Sequence, residues 1–182
     1  MNDASFQVMY SCLIDLIHQH FLIMNHEDYS DRYLRDILHE VRSIAMVGAS
    51  TTWNRPSYFV MKYLKLKGYR VIPVNPRATG QQLLGETVYS SLEALPETVD
   101  MVDMFRPASE APELVRQAIR AGAKVFWMQL ELQHQEAASK AEEEGMKVVM
   151  NRCPKIEYSR LFGELGWNGI NTGVIFNRRR RS

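Results

Sequence analysis

Cysteine is scarce in this chain. Its 182 residues include two, Cys12 and Cys153. That is no disulfide framework, and it suits a reducing compartment, so the cytoplasm is the expected location. No apolar run is long enough to span a bilayer. Two N-terminal apolar stretches, Cys12–Ile17 and Phe21–Met24, are interrupted by Asp15, His18 and His20. They have neither a basic leader nor a small-residue cleavage site, so they do not read as a signal peptide. An excess of one charge is also missing. The net charge of +1 offers nothing in bulk to draw nucleic acid or a membrane surface. Arg178–Arg181 is a short basic run within the tail at 177–182, and it reads as a solvated end. Ser-His-Asp order, C-x-x-C, H-E-x-x-H, metal-ligand clusters and G-x-x-x-x-G-K-[ST] are all absent. No catalytic and no metal-binding residue is assigned. His134, in the polar stretch Gln133-His134-Gln135, reads as a solvated or capping residue.

The length fits one domain with short extensions, and 46% hydrophobic content supplies a sizeable core. Residues 1–27 differ in pattern from the rest of the chain. Leu13, Ile14, Leu16, Ile17 and Phe21 make one face of a short helix. The segment reads as a loosely anchored extension, with packing on the domain or a partner contact as alternatives, and Met24 offers another start. The domain itself is expected over residues 28–176.

Within it, a helix is expected over Asp28–Arg42, capped by Ser30 or Asp31. Strands are expected at Ile44–Val47, Arg70–Val74, Thr87–Tyr89, Val99–Phe105, Lys124–Gln129 and Lys147–Met150. Helices are expected at Ser57–Lys67, Pro107–Ala121, Gln133–Glu144 and from Pro154 to Gly163. In the first of these, Phe59, Val60, Tyr63 and Leu64 should face inward. Ala78–Gly85 reads as a loop and Ser91–Ala94 as a short helical turn. Apolar strands alternating with amphipathic helices predict an α/β fold. The expected architecture is a doubly wound, mostly parallel, Rossmann-like sheet with helices on both faces.

Ligands in such sheets bind outside the carboxyl ends of the strands. The ends to inspect are Gly48–Ser50, Asn75–Arg77, Phe105–Pro107, Gln129 and Asn151–Cys153. A dinucleotide cofactor meets two objections. The first turn, Gly48-Ala49-Ser50-Thr51-Thr52-Trp53, is not G-x-G-x-x-G. The second strand ends in Val74-Asn75-Pro76, with no acid for a ribose hydroxyl. Arg55, Arg77, Arg106 and Arg152 instead suit a ligand with several phosphates. Prolines 56, 76 and 107, with Phe105, offer flat walls for a purine. Arg152 and Lys155 beside Cys153 favour a lowered thiol pKa and a mixed disulfide with a ligand thiol. The favoured reading of Cys153 is nonetheless a half-buried structural cysteine.

Several ordered motifs resemble one family. They are Val47-Gly48-Ala49-Ser50, Arg55-Pro56-Ser57, Val71-Ile72-Pro73-Val74-Asn75-Pro76, Val99 to Arg106, Trp127-Met128-Gln129-Leu130 and Asn151 to Glu157. From about Asp31 onward the chain is similar to the coenzyme A-binding domain family. These are small stand-alone bacterial and archaeal proteins, similar to the N-terminal Rossmann-like domain of the succinyl-CoA synthetase alpha subunit. The resemblance implies a ligand, coenzyme A or an acyl-CoA. Gly48, Ala49, Ser50, Arg55, Pro56 and Ser57 would hold the diphosphate. Asn75, Pro76 and Arg77 would lie along the adenosine, with Arg77 toward the 3′-phosphate. Phe105, Arg106 and Pro107 would form the opposite wall of the adenine slot, and Gln129, Arg152 and Cys153 would face the pantetheine. The implied function is binding without catalysis, as a carrier, sensor or regulator. Two enzymatic alternatives stand beside it: a nicotinamide-linked reductase, and a CoA-ligase component with a partner subunit. An interaction module with a vestigial crevice is the third reading.

Overall fold

The computed structural model describes residues 25–163. The readings of residues 1–24 and of the basic tail lie outside them. The chain opens with helix α1 (Asp31–Glu40), strand β1 (Ser43–Val47), helix α2 (Pro56–Leu66) and strand β2 (Arg70–Val74). A small antiparallel hairpin comes next, β3 (Gln82–Leu83) with β4 (Glu86–Thr87). The second half continues as β5 (Met101–Met104), α3 (Ala111–Arg120), β6 (Val125–Met128), α4 (Gln135–Glu143), β7 (Lys147–Val149) and α5 (Pro154–Leu161).

Five strands form one parallel sheet in the order β2-β1-β5-β6-β7. Side chains alternate across a strand, and both faces of this sheet are covered. Ile44, Met46, Met101, Trp127 and Val149 pack with Leu34, Ile37, Val60, Met61 and Leu64 of α1 and α2, and with Ile156 and Leu161 of α5. Ala45, Val47, Val102, Met104, Phe126 and Val148 pack with Leu114, Val115 and Ala118 of α3 and with the alanines of α4. The fold is the expected α/β, doubly wound, Rossmann-like sheet. Its strand order reverses between β1 and β5, which opens the crevice where such sheets bind ligands.

Both edges of the sheet are protected. Unpaired edge strands invite pairing with other chains. On β7, the Tyr33 hydroxyl donates to Val148 O and accepts from Val148 N–H, both at 3.1 Å, and the Tyr29 hydroxyl accepts from Met150 N–H at 2.7 Å. On β2, Pro73 removes one donor, and Tyr89 bridges Val74.

Several expected boundaries shift. The first helix runs Asp31–Glu40 rather than from Asp28, with the Ser30 side chain accepting from Tyr33 N–H at 3.2 Å. Val41 is already extended, which ends the helix before Arg42. The loop at Ala78–Gly85 contains β3, and the expected strand Thr87–Tyr89 moves to Glu86–Thr87, with Tyr89 kept as a single bridge. Ser91–Ala94 is a turn and not a helix. The helix expected from Pro107 begins as a 3-10 turn, Ala108–Glu110, before α3. Phe59, expected inward, is 46% exposed, because the buried stripe of α2 runs through Ser57, Val60, Met61 and Leu64 instead. His134 caps α4, its ring accepting from Ala137 N–H at 3.2 Å.

Candidate functional site

Gly48 ends β1 at the switch point. Its φ of +88° is a conformation that side chains disfavour, and a Cβ there would lie 2.6 Å from Phe105 O. The two strand ends are tied through this turn. Gly48 N–H donates to Val74 O, and Phe105 N–H donates to Val47 O, both at 2.8 Å. Around it the loop is fixed before any ligand arrives. Ser50 N–H donates to the buried Ser57 hydroxyl at 3.0 Å, and Thr52 N–H donates to Ser50 Oγ at 3.2 Å. The Asn75 amide donates to Ala49 O at 2.8 Å, while its oxygen accepts from Arg77 N–H at 3.0 Å. Asn75 therefore ties the end of β2 to the turn after β1.

Arg55 is the residue before α2, and its side chain does not cap the helix. Pro56, in the first turn, has no N–H to satisfy. Arg55 and Arg77 are exposed, and among the described residues neither forms an ion pair. The other two arginines differ. Arg106 donates twice to Glu110, at 2.9 and 2.7 Å, and its chain lies over Gly48. Arg152 lies 5.7 Å from the centre of the Tyr29 ring, donates to Asn151 O at 3.1 Å, and sits 3.7 Å from Glu157. Of four arginines expected to serve phosphates, two are already partnered by the protein. The Glu110 carboxyl is held below its usual range chiefly by its hydrogen bonds from Arg106, with a smaller contribution from the charge of Arg77.

Beyond Arg106 the crevice deepens into a cavity of about 1350 Å³. That exceeds the roughly 300–1,000 Å³ that suits a drug-sized ligand. Pro56, Phe105, Arg106, Pro107, Gln129, Arg152 and Cys153 line it, as do Tyr29, Glu157 and Arg160. Gly48, Ala49, Ser50, Arg55, Ser57, Asn75, Pro76 and Arg77 are not part of its lining. The expected site residues thus divide into a group around the ends of β1 and β2 outside the cavity and a group at β5, β6 and β7 that, with Pro56, lines it. At the cavity lip, Glu131 and Asn151 both have positive φ and are joined by a 2.8 Å bond from Glu131 N–H to Asn151 Oδ1.

Of the two readings of Cys153, the structure supports the favoured one, a structural cysteine, and not the activated thiol. The thiol is 6% exposed, and burial pushes its pKa up to about 11 despite Lys155. The charge on Asp103 acts in the same direction. A thiol in this setting behaves as a structural cysteine.

Asp103 is the residue that sequence reasoning left without a role. It is fully buried in β5, and burial pushes its carboxyl up to about 7. Gln129 Nε2 donates to its Oδ1 at 2.6 Å. The signal was an acid in the middle of an apolar strand, Met101-Val102-Asp103-Met104, where the pattern allows only core residues. Among the described residues no three His, Cys, Asp or Glu side chains cluster as metal ligands, and no helix is long and apolar enough to cross a membrane.

Residues 42–159 match the model of a CoA binding domain. The chain belongs to this CoA-binding domain family. The resemblance read from the ordered motifs is therefore correct. Uncharacterized protein YneT of Bacillus subtilis is 34% identical over 126 residues, which are 69% of this chain and 92% of YneT. Acetate–CoA ligase (ADP-forming) II of Archaeoglobus fulgidus is 33% identical over 99 residues, which are 53% of this chain and 14% of the ligase. Among solved structures, a hypothetical protein from Pyrococcus horikoshii is 41% identical with a TM-score of 0.70, covering 74% of this chain and 94% of that one. Cell-free ID.343 from Thermus thermophilus is 38% identical with a TM-score of 0.70, covering 74% of this chain and all of that one. The CoA-binding domain is thus shared by small proteins of about this size and by a segment of much longer ligases.

Proposed function

We propose that this protein binds coenzyme A or an acyl-CoA in the crevice between β1 and β5 and carries out no reaction on it, acting as a carrier, sensor or regulator. The observation that carries the reading is a pair of exposed arginines without ion pairs among the described residues, Arg55 and Arg77, in the loops after β1 and β2, with a large cavity whose lining includes Pro56, the residue after Arg55. A diphosphate and a 3′-phosphate ask for cationic donors at one end. A long uncharged arm asks for a deep cavity at the other. In this reading the Gly48–Ser50 turn, Pro56 and Ser57 hold the diphosphate with Arg55. Asn75, Pro76 and Arg77 flank the adenosine, with Phe105, Arg106 and Pro107 opposite. Gln129, Arg152 and Cys153 line the path of the pantetheine.

A nicotinamide cofactor fits less well, because the end of β2 offers Asn75, whose side chain is spent on Ala49 O and Arg77 N–H. The match to part of an ADP-forming acetate–CoA ligase supports a second reading, a ligase component that acts with a partner subunit. Isothermal titration of the full chain with coenzyme A, NAD and NADP tests the first reading. Saturable binding of coenzyme A alone is the expected result, and binding of NAD or NADP in its place would overturn it. A stoichiometric partner recovered by co-purification, with CoA-ligase activity in the complex, would favour the second.

A further inference from the structure

The cavity floor rests on an unexplained acid. Asp103 is 0% exposed, and its Oδ2 has no hydrogen-bond partner. A buried, unsatisfied carboxylate oxygen costs stability, and an apolar residue would fit the strand pattern better. Its one bond goes to Gln129, which is buried and lines the cavity. The Gln129 Oε1 has no protein partner among the described residues.

An amide has two faces, an NH2 that donates and a carbonyl oxygen that accepts. An ionised carboxylate only accepts, so it takes the NH2 and leaves Oε1 for the cavity. A protonated carboxyl gains an O–H while keeping an acceptor oxygen; with the proton on the oxygen that faces Gln129, it bonds the carbonyl oxygen once the amide has turned over, and the NH2 then faces the cavity. We propose that Asp103 is a positioning residue that sets, through Gln129, whether the cavity floor accepts or donates a hydrogen bond. With Asp103 ionised, the floor favours a ligand S–H or N–H, as in the free thiol of coenzyme A. With Asp103 protonated, it favours a ligand carbonyl, as in an acyl thioester. The identity of the ligand rests on the coenzyme A reading, whereas the device itself does not.

The surroundings of Asp103 leave its proton to solvent pH. Its register neighbours on β1 and β6 are Met46 and Trp127, neither of which titrates in the acid range. The turn before α5 brings Cys153, whose thiol Lys155 also influences, while Arg152 and Glu157 of the same segment pair with each other. From α2 the face packed on this side of the sheet is Val60, Met61 and Leu64. Among the described residues no lysine, arginine or histidine pairs with the Asp103 carboxylate. Burial holds its ionisation near neutrality, so both states are populated there.

Two measurements on the full chain test this. In the first, without ligand, the Asp103 carboxyl carbon and the Gln129 side-chain amide are followed by NMR from about pH 5.5 to about pH 8.5, a window that brackets neutrality. The two signals are expected to move with one midpoint, and the Gln129 signal is expected to stay fixed in Asp103→Asn. A Gln129 amide that ignores the Asp103 titration would overturn the proposal. In the second, the affinities for coenzyme A and acetyl-CoA are compared over the same range. The 3′-phosphate titrates in both ligands, so its effect cancels in the ratio. The preference for the free thiol is expected to rise about three- to tenfold toward high pH, the size of one hydrogen bond. It should be flat in Asp103→Asn and in Gln129→Met. A flat ratio in the wild type, with both ligands bound, would also overturn the proposal. Failure of both ligands to bind would instead remove the coenzyme A reading, and the NMR titration would still decide the device.

Discussion

The two halves of the crevice solve opposite problems. The half at β1 and β2 is open, and its parts are local. A glycine turn, a serine hydroxyl and an asparagine amide fix the loop, and two arginines stand exposed and unpaired. The half at β5, β6 and β7 is a deeper cavity, and its arginines and its buried acid are already engaged by the protein. Arg106 is held by Glu110, Arg152 lies against Tyr29 and beside Glu157, and Asp103 shares its one bond with Gln129. The first half suits anions that arrive with their own charge. The second suits a neutral chain recognised by shape and by single hydrogen bonds.

The sharpest way to break this contrast is through Asp103. Its folded pKa of about 7 lies above its ordinary 3.8. Between those values the folded state holds more protons than the unfolded state, so stability falls as pH rises through this window and levels off above it. The effect amounts to about 4 kcal/mol as an upper figure. Urea unfolding at acid and mildly alkaline pH should show the slope in the wild type and lose it in Asp103→Asn. Next in size, Gly48→Ala should cost about 3 kcal/mol, from its positive φ and the clash with Phe105 O. Denaturant unfolding would show it, and a loss below about 0.5 kcal/mol would mean that the turn relaxes freely. Arg55→Ala should weaken coenzyme A binding by about 1.5–3 kcal/mol, the range for a charge-assisted bond. Arg106→Ala should weaken it by less than about 1 kcal/mol, since Glu110 already holds that guanidinium. Equal losses at the two positions would erase the distinction between free and partnered arginines. The smallest effect concerns Cys153. With its pKa near 11, alkylation by iodoacetamide at mildly alkaline pH, mapped by mass spectrometry, should be far slower in the folded protein than in urea.

How much the sequence revealed tracks the same division. The open half is written in short stretches, Gly48-Ala49-Ser50, Arg55-Pro56-Ser57 and Asn75-Pro76-Arg77, where a turn and its donors are neighbours along the chain. Strand periodicity likewise exposed the sheet, because strands buried on both faces leave apolar runs. The cavity half is made by residues far apart. Asp103 meets Gln129 across two strands, and Tyr29 reaches Met150 from before the first helix. Cys153 shows why local charge alone was not decisive. Its neighbours Arg152 and Lys155 suggest an activated thiol, yet burial outweighs their charge. Arg106 makes the same point, since its partner Glu110 lies one helical turn away in a segment read only as a helix start.

The division of labour between the halves can be tested with the ligand cut in two. Coenzyme A and its nucleotide half, adenosine 3′-phosphate 5′-diphosphate, are titrated into the wild type, Arg55→Ala and Gln129→Leu. Arg55→Ala is expected to weaken both ligands by the same factor, and Gln129→Leu to weaken coenzyme A alone. If Gln129→Leu weakens the nucleotide half as much as coenzyme A, or Arg55→Ala leaves both unchanged, the assignment of phosphates to the open half and of the pantetheine arm to the cavity is wrong.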